Sequence, residues 1–204
     1  MLPLFTPVRA SGTMTFMTID TAELYRRATE EFAARVRLVG TRWTAATPCS
    51  DWDVRALVRH VVEEELWVPP LFAGRTIAEV GDSLSGDLLG DDPVRVFEQA
   101  SAAAVDAVRE PGALERTVHL SLGDFPGGEY AMQVGADHLV HSWDLARAVG
   151  VDATLDVESV AAVRAWFADR EDAYRSSGAI GPRVPLPDGA PAQDDLLARF
   201  GRTP

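Results

Sequence analysis

Four histidines carry most of the chemistry that this 204-residue sequence offers: His60, His119, His138 and His141. Asp137 and His141 are four residues apart, which places their side chains on one face of a helix, one turn apart. A carboxylate and an imidazole at this spacing can share one divalent ion, as the paired histidines of helical zinc motifs do. The segment therefore predicts half of a metal site.

A third ligand for the same ion is offered by His60, on the predicted core-facing line of another helix with Leu57 and Val61. Three protein ligands leave an open position, which is the pattern of a reactive site rather than a structural one. Two imidazoles and a carboxylate suit Zn²⁺, Fe²⁺, Ni²⁺ or Mn²⁺, and donor type alone does not choose among them. We take Zn²⁺ as the first expectation and predict His60, Asp137 and His141 as the metal ligands.

Purely structural roles compete with this interpretation. A lone histidine on an apolar face, such as His60, is more often a satisfied core residue than a ligand. Asp137 and His141 could form a hydrogen-bonded pair without any ion. His138 stays an alternative ligand, although it points about 60° from His141 while Asp137 lies about 40° away. Glu64, one turn after His60, could support the site.

Other polar residues are expected to be structural. His119 lies in an alternating segment and is expected at the surface. Asp144 is expected to pair with Arg147 or to cap a loop. Cys49 follows a proline and is expected to be a small packed residue. Because it is the only cysteine, the chain can form no internal disulfide and no cysteine-rich zinc site, and we expect a reducing compartment, the cytoplasm.

Composition excludes several classes of function. The net charge of -12 disfavours nucleic acid and anionic membranes as partners. All 19 basic residues are arginine, so Schiff-base chemistry on a lysine is excluded. No apolar run approaches the roughly 20 residues that span a membrane. We expect residues 1–17 to form a disordered arm without a signal peptide, and residues 18–204 to form a single domain.

Hydrophobic periodicity predicts an all-α protein with at most a short β hairpin. Four or five helices with little strand indicate a helix bundle. The second helix is expected to have Ser50 as its N-cap. The predicted helices cover residues 20–39, about 52–69, 93–110, 129–149 and 156–176, with a last helical turn at 194–200; residues 115–122 read as a strand.

Two segments resemble a known family. They are TPCSDWDVRALVRH at residues 47–60 and DHLVHSWDLARAVG at residues 137–150. Together they resemble the DinB/YfiT-like metal-binding superfamily, closest to proteins that share the N-terminal domain of mycothiol-dependent maleylpyruvate isomerase. The resemblance covers roughly residues 20–202, and the second motif is the more specific one.

The resemblance implies an up-down-down-up four-helix bundle, which we expect here with an extra C-terminal helix, together with frequent homodimers and metal-activated thiol chemistry. Position by position, His60 matches the first ligand and His141 the last. Asp137 falls where the isomerase carries a glutamate, which shortens the side chain by one methylene. The isomerase also has a C-terminal domain that contributes to its site and has no counterpart here, so isomerisation of maleylpyruvate itself is not expected.

The function expected from the resemblance is a thiol S-transferase or isomerase, acting on a low-molecular-weight thiol such as mycothiol and a small-molecule electrophile. One alternative is a hydrolase, with metal-bound hydroxide as nucleophile and Glu64 as base. Another is a non-enzymatic metal-binding or sensor domain in which the ion ties helices together. An Fe²⁺ oxygenase matches the donors but usually has a β scaffold.

Overall fold

The computed structural model describes residues 19–121 and 123–204. The N-terminal arm predicted for residues 1–17 lies outside the described residues. Eight α-helices and one hairpin make up the regular structure of the described part. They are α1 (Thr21–Val36), α2 (Val54–Phe72), α3 (Ile77–Val80), α4 (Pro93–Arg109), β1 (Thr117–Leu120), β2 (Gly123–Pro126), α5 (Gly127–Val149), α6 (Val157–Phe167), α7 (Glu171–Ser176) and α8 (Ala192–Arg199), with a 3₁₀ turn at Gly81–Leu84.

The long helices α1, α2, α4 and α5 form the predicted up-down-down-up bundle. Helices α1 and α5 run in the same direction, and Gly135 lets them approach closely, because a Cβ there would lie 2.7 Å from Leu24 Cδ2. Helix α2 runs against both, since its last residue, Phe72, meets Tyr130 near the start of α5. Helix α4 lies beside α2. It is antiparallel to α1, since Arg37, just after the end of α1, pairs with Glu98 near the start of α4, with Nε–Oε1 at 2.8 Å. The all-α prediction is confirmed.

Local sequence signals account for most helix ends. The Asp20 carboxylate accepts a hydrogen bond from the Glu23 backbone N–H at 2.8 Å and caps α1. Asp53 caps α2 in the same way, so the prediction that Ser50 caps this helix is wrong. Gly150, in the left-handed conformation at φ 70°, ends α5.

Three predicted boundaries need correction. Helix α1 ends at Val36 rather than at residue 39, and the following turn still buries Val39. Helix α2 continues through Pro69 and Pro70 to Phe72, because buried apolar side chains hold its last turn despite the two missing N–H donors. The helix predicted at 156–176 is two helices, α6 and α7, separated at residues 168–170.

The hairpin is as short as predicted. Strands β1 and β2 pair antiparallel, from Thr117 opposite Pro126 to Leu120 opposite Gly123. The hairpin leads directly into α5, whose residues are buried along almost its whole length. A helix buried in this way is a rigid support for the polar residues that it carries.

Candidate metal centre

The three predicted ligands lie together between α2 and α5. His60 Nε2 lies 3.2 Å from Asp137 Oδ2, and His141 Nε2 lies 3.3 Å from the same oxygen. One donor atom from each residue falls within 4.8 Å of the other two. Two imidazole nitrogens and one carboxylate oxygen at these separations can surround a single divalent ion. That they bind one stays a prediction.

The charge of Asp137 is suited to a cation. Burial acts to raise the pKa of Asp137, but the attraction of His141 and the contacts with His60 outweigh burial and hold this pKa well below its usual range. The carboxylate is therefore ionised at neutral pH, as a ligand must be.

The orientation of His141 is set by a residue on its own helix. His141 Nδ1 lies 2.8 Å from Oδ2 of Asp144, whose side chain is fully buried. An Nδ1–H that donates to this carboxylate leaves the Nε2 lone pair free to face Asp137. Arg202, after α8, donates from Nη2 to the same Asp144 oxygen at 2.8 Å.

This arrangement corrects the expectation for Asp144. Its partners are His141 and Arg202, whereas Arg147 lies over the ring of Trp143, 5.5 Å from the ring centroid. The helical spacing of three residues to His141 is the signal that could have found the first contact. No local pattern points to Arg202, which is 58 residues away from Asp144 in the chain.

Cys49 belongs to the same network. Its Sγ lies 3.3 Å from Asp144 Oδ2 and 3.2 Å from Arg202 Nη2. Cys49, His141 and Asp144 form a second group whose donor atoms fall within 4.8 Å of one another. Burial, together with the negative charge of Asp144, raises the pKa of the Cys49 thiol to about 12. The thiol therefore stays protonated near neutral pH, which fits the expected packed residue better than a nucleophile.

Glu64 lies beside the cluster, one turn after His60. Its Oε1 is 3.8 Å from His60 Nε2, and its buried Oε2 has no hydrogen-bond partner among the described residues. Burial and the neighbouring charge of Asp137 raise the pKa of Glu64 well above its usual value. A buried carboxylate oxygen left unpaired next to three possible ligands supports the presence of a cation or of a proton at this place.

The structure does not place the other two histidines in this cluster. His138 is fully buried behind it, where its Nδ1 lies 3.1 Å from Thr29 Oγ1. Burial lowers the pKa of His138 to about 3, so the ring is neutral. His119 lies on β1, and its Nδ1 is 2.7 Å from Asp124 Oδ1 in a partly exposed pair.

A cavity of about 730 Å³ opens onto the three predicted ligands. Trp52 forms one wall, with its ring 4.7 Å from the ring of His60 and 5.6 Å from that of His141. Another wall comes from α6, α7 and the end of the chain. Its aromatic residues are Trp166, Tyr174 and Phe200. Sequence reasoning missed this wall entirely.

Within residues 19–121 and 123–204, no helix is both long enough and apolar enough to cross a membrane.

Comparison with known proteins gives two matches. Residues 25–146 match the family model described as the mycothiol maleylpyruvate isomerase N-terminal domain. Two uncharacterised proteins, from two strains of Mycobacterium tuberculosis, are each 32% identical to this chain over 191 residues, 91% of this chain and 99% of the relative. No solved structure matches the chain significantly. The matched range contains all three predicted ligands, whereas the aromatic wall from α6, α7 and Phe200 lies outside it.

Proposed function

This chain belongs to the family of the mycothiol maleylpyruvate isomerase N-terminal domain, and on that premise we propose that it is a metal-dependent thiol transferase or isomerase. Its substrates are a low-molecular-weight thiol of the mycothiol type and a small electrophile. The observation that carries the proposal is the convergence of His60, Asp137 and His141 at a cavity large enough for both substrates.

The donor set fits a divalent ion, with Zn²⁺ as the first choice. His60, Asp137 and His141 would hold it, and the unpaired Oε2 of Glu64 lies at the edge of the same group. Such an ion, when bound, stabilises the thiolate form of a thiol at neutral pH. The open position of a three-ligand site is where the thiol would enter.

The chain's own residues supply orientation, a proton acceptor and a barrier to water. Asp144 and Arg202 hold the ring of His141 in the orientation that exposes Nε2 to Asp137. Burial and the charge of Asp137 raise the pKa of Glu64, so its unpaired Oε2 would take the thiol proton only when a bound cation favours the ionised form of this carboxyl. Trp52 covers the histidine rings on one side and keeps water from them.

The test is metal analysis of the purified protein, followed by a rate measurement with an electrophile in the presence and absence of mycothiol. We expect about one divalent ion per chain and turnover that requires the thiol. His60→Ala should lose the bound ion and the turnover. His119→Ala, which removes an imidazole outside the cavity, should keep the ion and the turnover. Equal turnover without thiol would favour the hydrolase, and tight metal binding without any turnover would favour a binding domain.

A further inference from the structure

The cavity above the predicted ligands is acidic. Among the described residues that line it, three are carboxylates, Asp51, Glu64 and Asp137, and one is an arginine, Arg202. A divalent ion on the ligands would be more than offset by Asp137, by Asp51 and by the thiolate of the cosubstrate. A second anion would therefore enter against net negative charge.

The one arginine in this lining is already engaged. Arg202 donates from Nη2 to Asp144 Oδ2 at 2.8 Å and from Nε to both oxygens of that carboxylate at 3.3 Å. Its Nη1 donates to the backbone oxygen of Phe200 at 2.8 Å. A substrate carboxylate could form a two-point pair with the Nε and Nη2 edge of Arg202 only by displacing Asp144. That exchange would leave a fully buried carboxylate without its ionic partner, which is strongly unfavourable.

The walls of the cavity are flat and aromatic. Trp52 stands against the ring of His60 on one side. In another wall Trp166 and Tyr174 meet edge to face, with ring centroids 5.9 Å apart. The Trp166 indole is fixed because its Nε1–H donates to the Glu129 carboxylate at 3.1 Å. Rigid aromatic walls favour flat, weakly hydrated ligands.

We propose that the electrophile taken by this site is an uncharged aromatic molecule, and that the site rejects carboxylate electrophiles. That the ligand is an electrophile rests on the proposed function. The preference for an uncharged ring rests on the charges and the aromatic walls of the cavity. The aromatic wall belongs to α6, α7 and the end of the chain, outside the part that matches the family model, whereas the carboxylates of the lining lie within that part.

A suitable probe reaction is aromatic substitution on 4-chloro-3-nitrobenzamide by N-acetylcysteinamide, an uncharged thiol. The sulfur forms a bond to the ring carbon that bears chlorine. The carbon–chlorine bond breaks, and chloride leaves with the bonding electrons. The thiol proton passes to solvent, so no oxidant or reductant is needed.

Binding is measured first, without any reaction. Isothermal titration compares 3-nitrobenzamide with 3-nitrobenzoate, two rings of equal size that differ in charge, on the purified metal-loaded protein with saturating N-acetylcysteinamide. We expect the amide to bind at least about tenfold more tightly, which corresponds to about 1.4 kcal/mol. Equal or tighter binding of the benzoate, or no binding of either ring, would overturn the inference.

Two pairs of variants locate the preference. Asp51→Arg places a positive charge in the lining and should reduce the difference in affinity between the amide and the benzoate. Asp91→Arg makes the same change at an exposed position outside the lining and should leave that difference unchanged. Trp166→Leu should weaken binding of the amide, and Trp67→Leu, a tryptophan outside the cavity, should not. Identical effects within either pair would contradict the assignment of the preference to this cavity.

The rates then separate this inference from the proposed function. Each enzymatic rate with 4-chloro-3-nitrobenzamide or 4-chloro-3-nitrobenzoate is divided by its uncatalysed rate, which removes the difference in intrinsic reactivity. Turnover of neither compound, with the binding preference intact, would remove the proposed function and leave the preference standing. Faster normalised turnover of the benzoate would overturn the preference and leave the transferase standing.

Discussion

Asp144 holds His141 through Nδ1 at 2.8 Å, while Nε2 of the same ring faces Asp137 at 3.3 Å. The two nitrogens of one imidazole therefore have separate partners, one a fully buried carboxylate and the other the predicted metal site. A ring fixed in this way cannot swing out of the cluster without breaking a buried hydrogen bond. The predictions below start from this relationship.

The first prediction separates the histidines. His60→Ala and His141→Ala should each abolish tight metal binding, because two remaining donors hold a divalent ion poorly against water. Asp137→Asn should weaken binding by removing the negative charge while keeping the shape. His119→Ala should leave metal content unchanged, as measured by elemental analysis and competition with a chelating dye. Metal retained at parent affinity by His60→Ala would show that His60 is only a packed residue.

The second prediction concerns Asp144. Asp144→Asn should weaken metal affinity by roughly 10- to 100-fold, because it replaces the carboxylate that fixes the Nδ1–H tautomer of His141 with an amide that can also donate to Nδ1. It should also lower the free energy of unfolding by about 3–5 kcal/mol, because the partly buried Arg202 loses its ionic partner. Asp124→Asn makes the same change in a carboxylate–histidine pair outside the cavity, the pair with His119, and is the matched control. Equal metal affinity in the two variants would contradict the positioning role.

The third prediction is a dependence of stability on pH. Burial raises the pKa of Glu65 to about 8, although Tyr25 donates a hydrogen bond to this carboxylate. Between the usual carboxyl value of about 4.5 and pH 8 the folded protein binds the proton more tightly than the unfolded chain. The contribution of Glu65 is thus fully present below about pH 4.5 and is lost as the pH rises to 8, by up to about 1.4 kcal/mol per pH unit.

Glu65→Gln should flatten that dependence. Urea unfolding at pH 5, 6, 7 and 8 measures the free energy of unfolding for the parent, for this variant and for Glu115→Gln, an exposed control. The control should keep the slope of the parent. A slope that persists in Glu65→Gln would assign the pH dependence to other groups.

The fourth prediction concerns Cys49. A pKa near 12 in place of the usual 9 reduces the thiolate fraction at pH 8 on the order of a thousandfold. Alkylation by iodoacetamide, followed by mass spectrometry, should therefore be far slower than for a small thiol in solution. Asp144→Asn should accelerate it, since the nearest negative charge is removed. Alkylation of the parent at the rate of a small thiol would exclude the raised pKa.

The fifth prediction separates metal binding from folding. Three clusters of buried apolar side chains run through the bundle and do not depend on an ion. Removal of metal with EDTA should therefore leave the circular dichroism spectrum helical and the unfolding transition cooperative. Unfolding upon chelation would show that the ion has a structural role and is required for the folded state.

The helical period explains what could be predicted from the sequence. Asp137 and His141 share a helix, so a spacing of four residues suffices to place them together. His60 could be aligned with them only through the core-facing pattern of α2 and the family resemblance. The bundle followed from the same periodicity, because each long helix has one apolar face. The homodimer stays a prediction.

The rest depends on contacts between distant parts of the chain. Arg202 and Tyr174 line the cavity, but the local sequence patterns around them do not predict where these side chains pack. The predicted end of α2, at about residue 69, was wrong because the packing of Phe72 stabilises the last turn by more than the two prolines before it destabilise it. The pairing of Asp144 was wrong because Arg147, at an equally suitable spacing, lies against Trp143 instead.

The position of Arg202 also has a consequence for how the protein is made. Ribosomes synthesise roughly 5–20 residues per second. The 58 residues that separate Asp144 from Arg202 therefore delay the arginine by about 3 to 12 s after its partner. During that interval the buried carboxylate of Asp144 has no guanidinium beside it, and the cavity lacks the wall that ends at Phe200. A nascent chain could therefore gather the three predicted ligands early, whereas the discrimination between substrates that we propose would begin only after its last helix has docked.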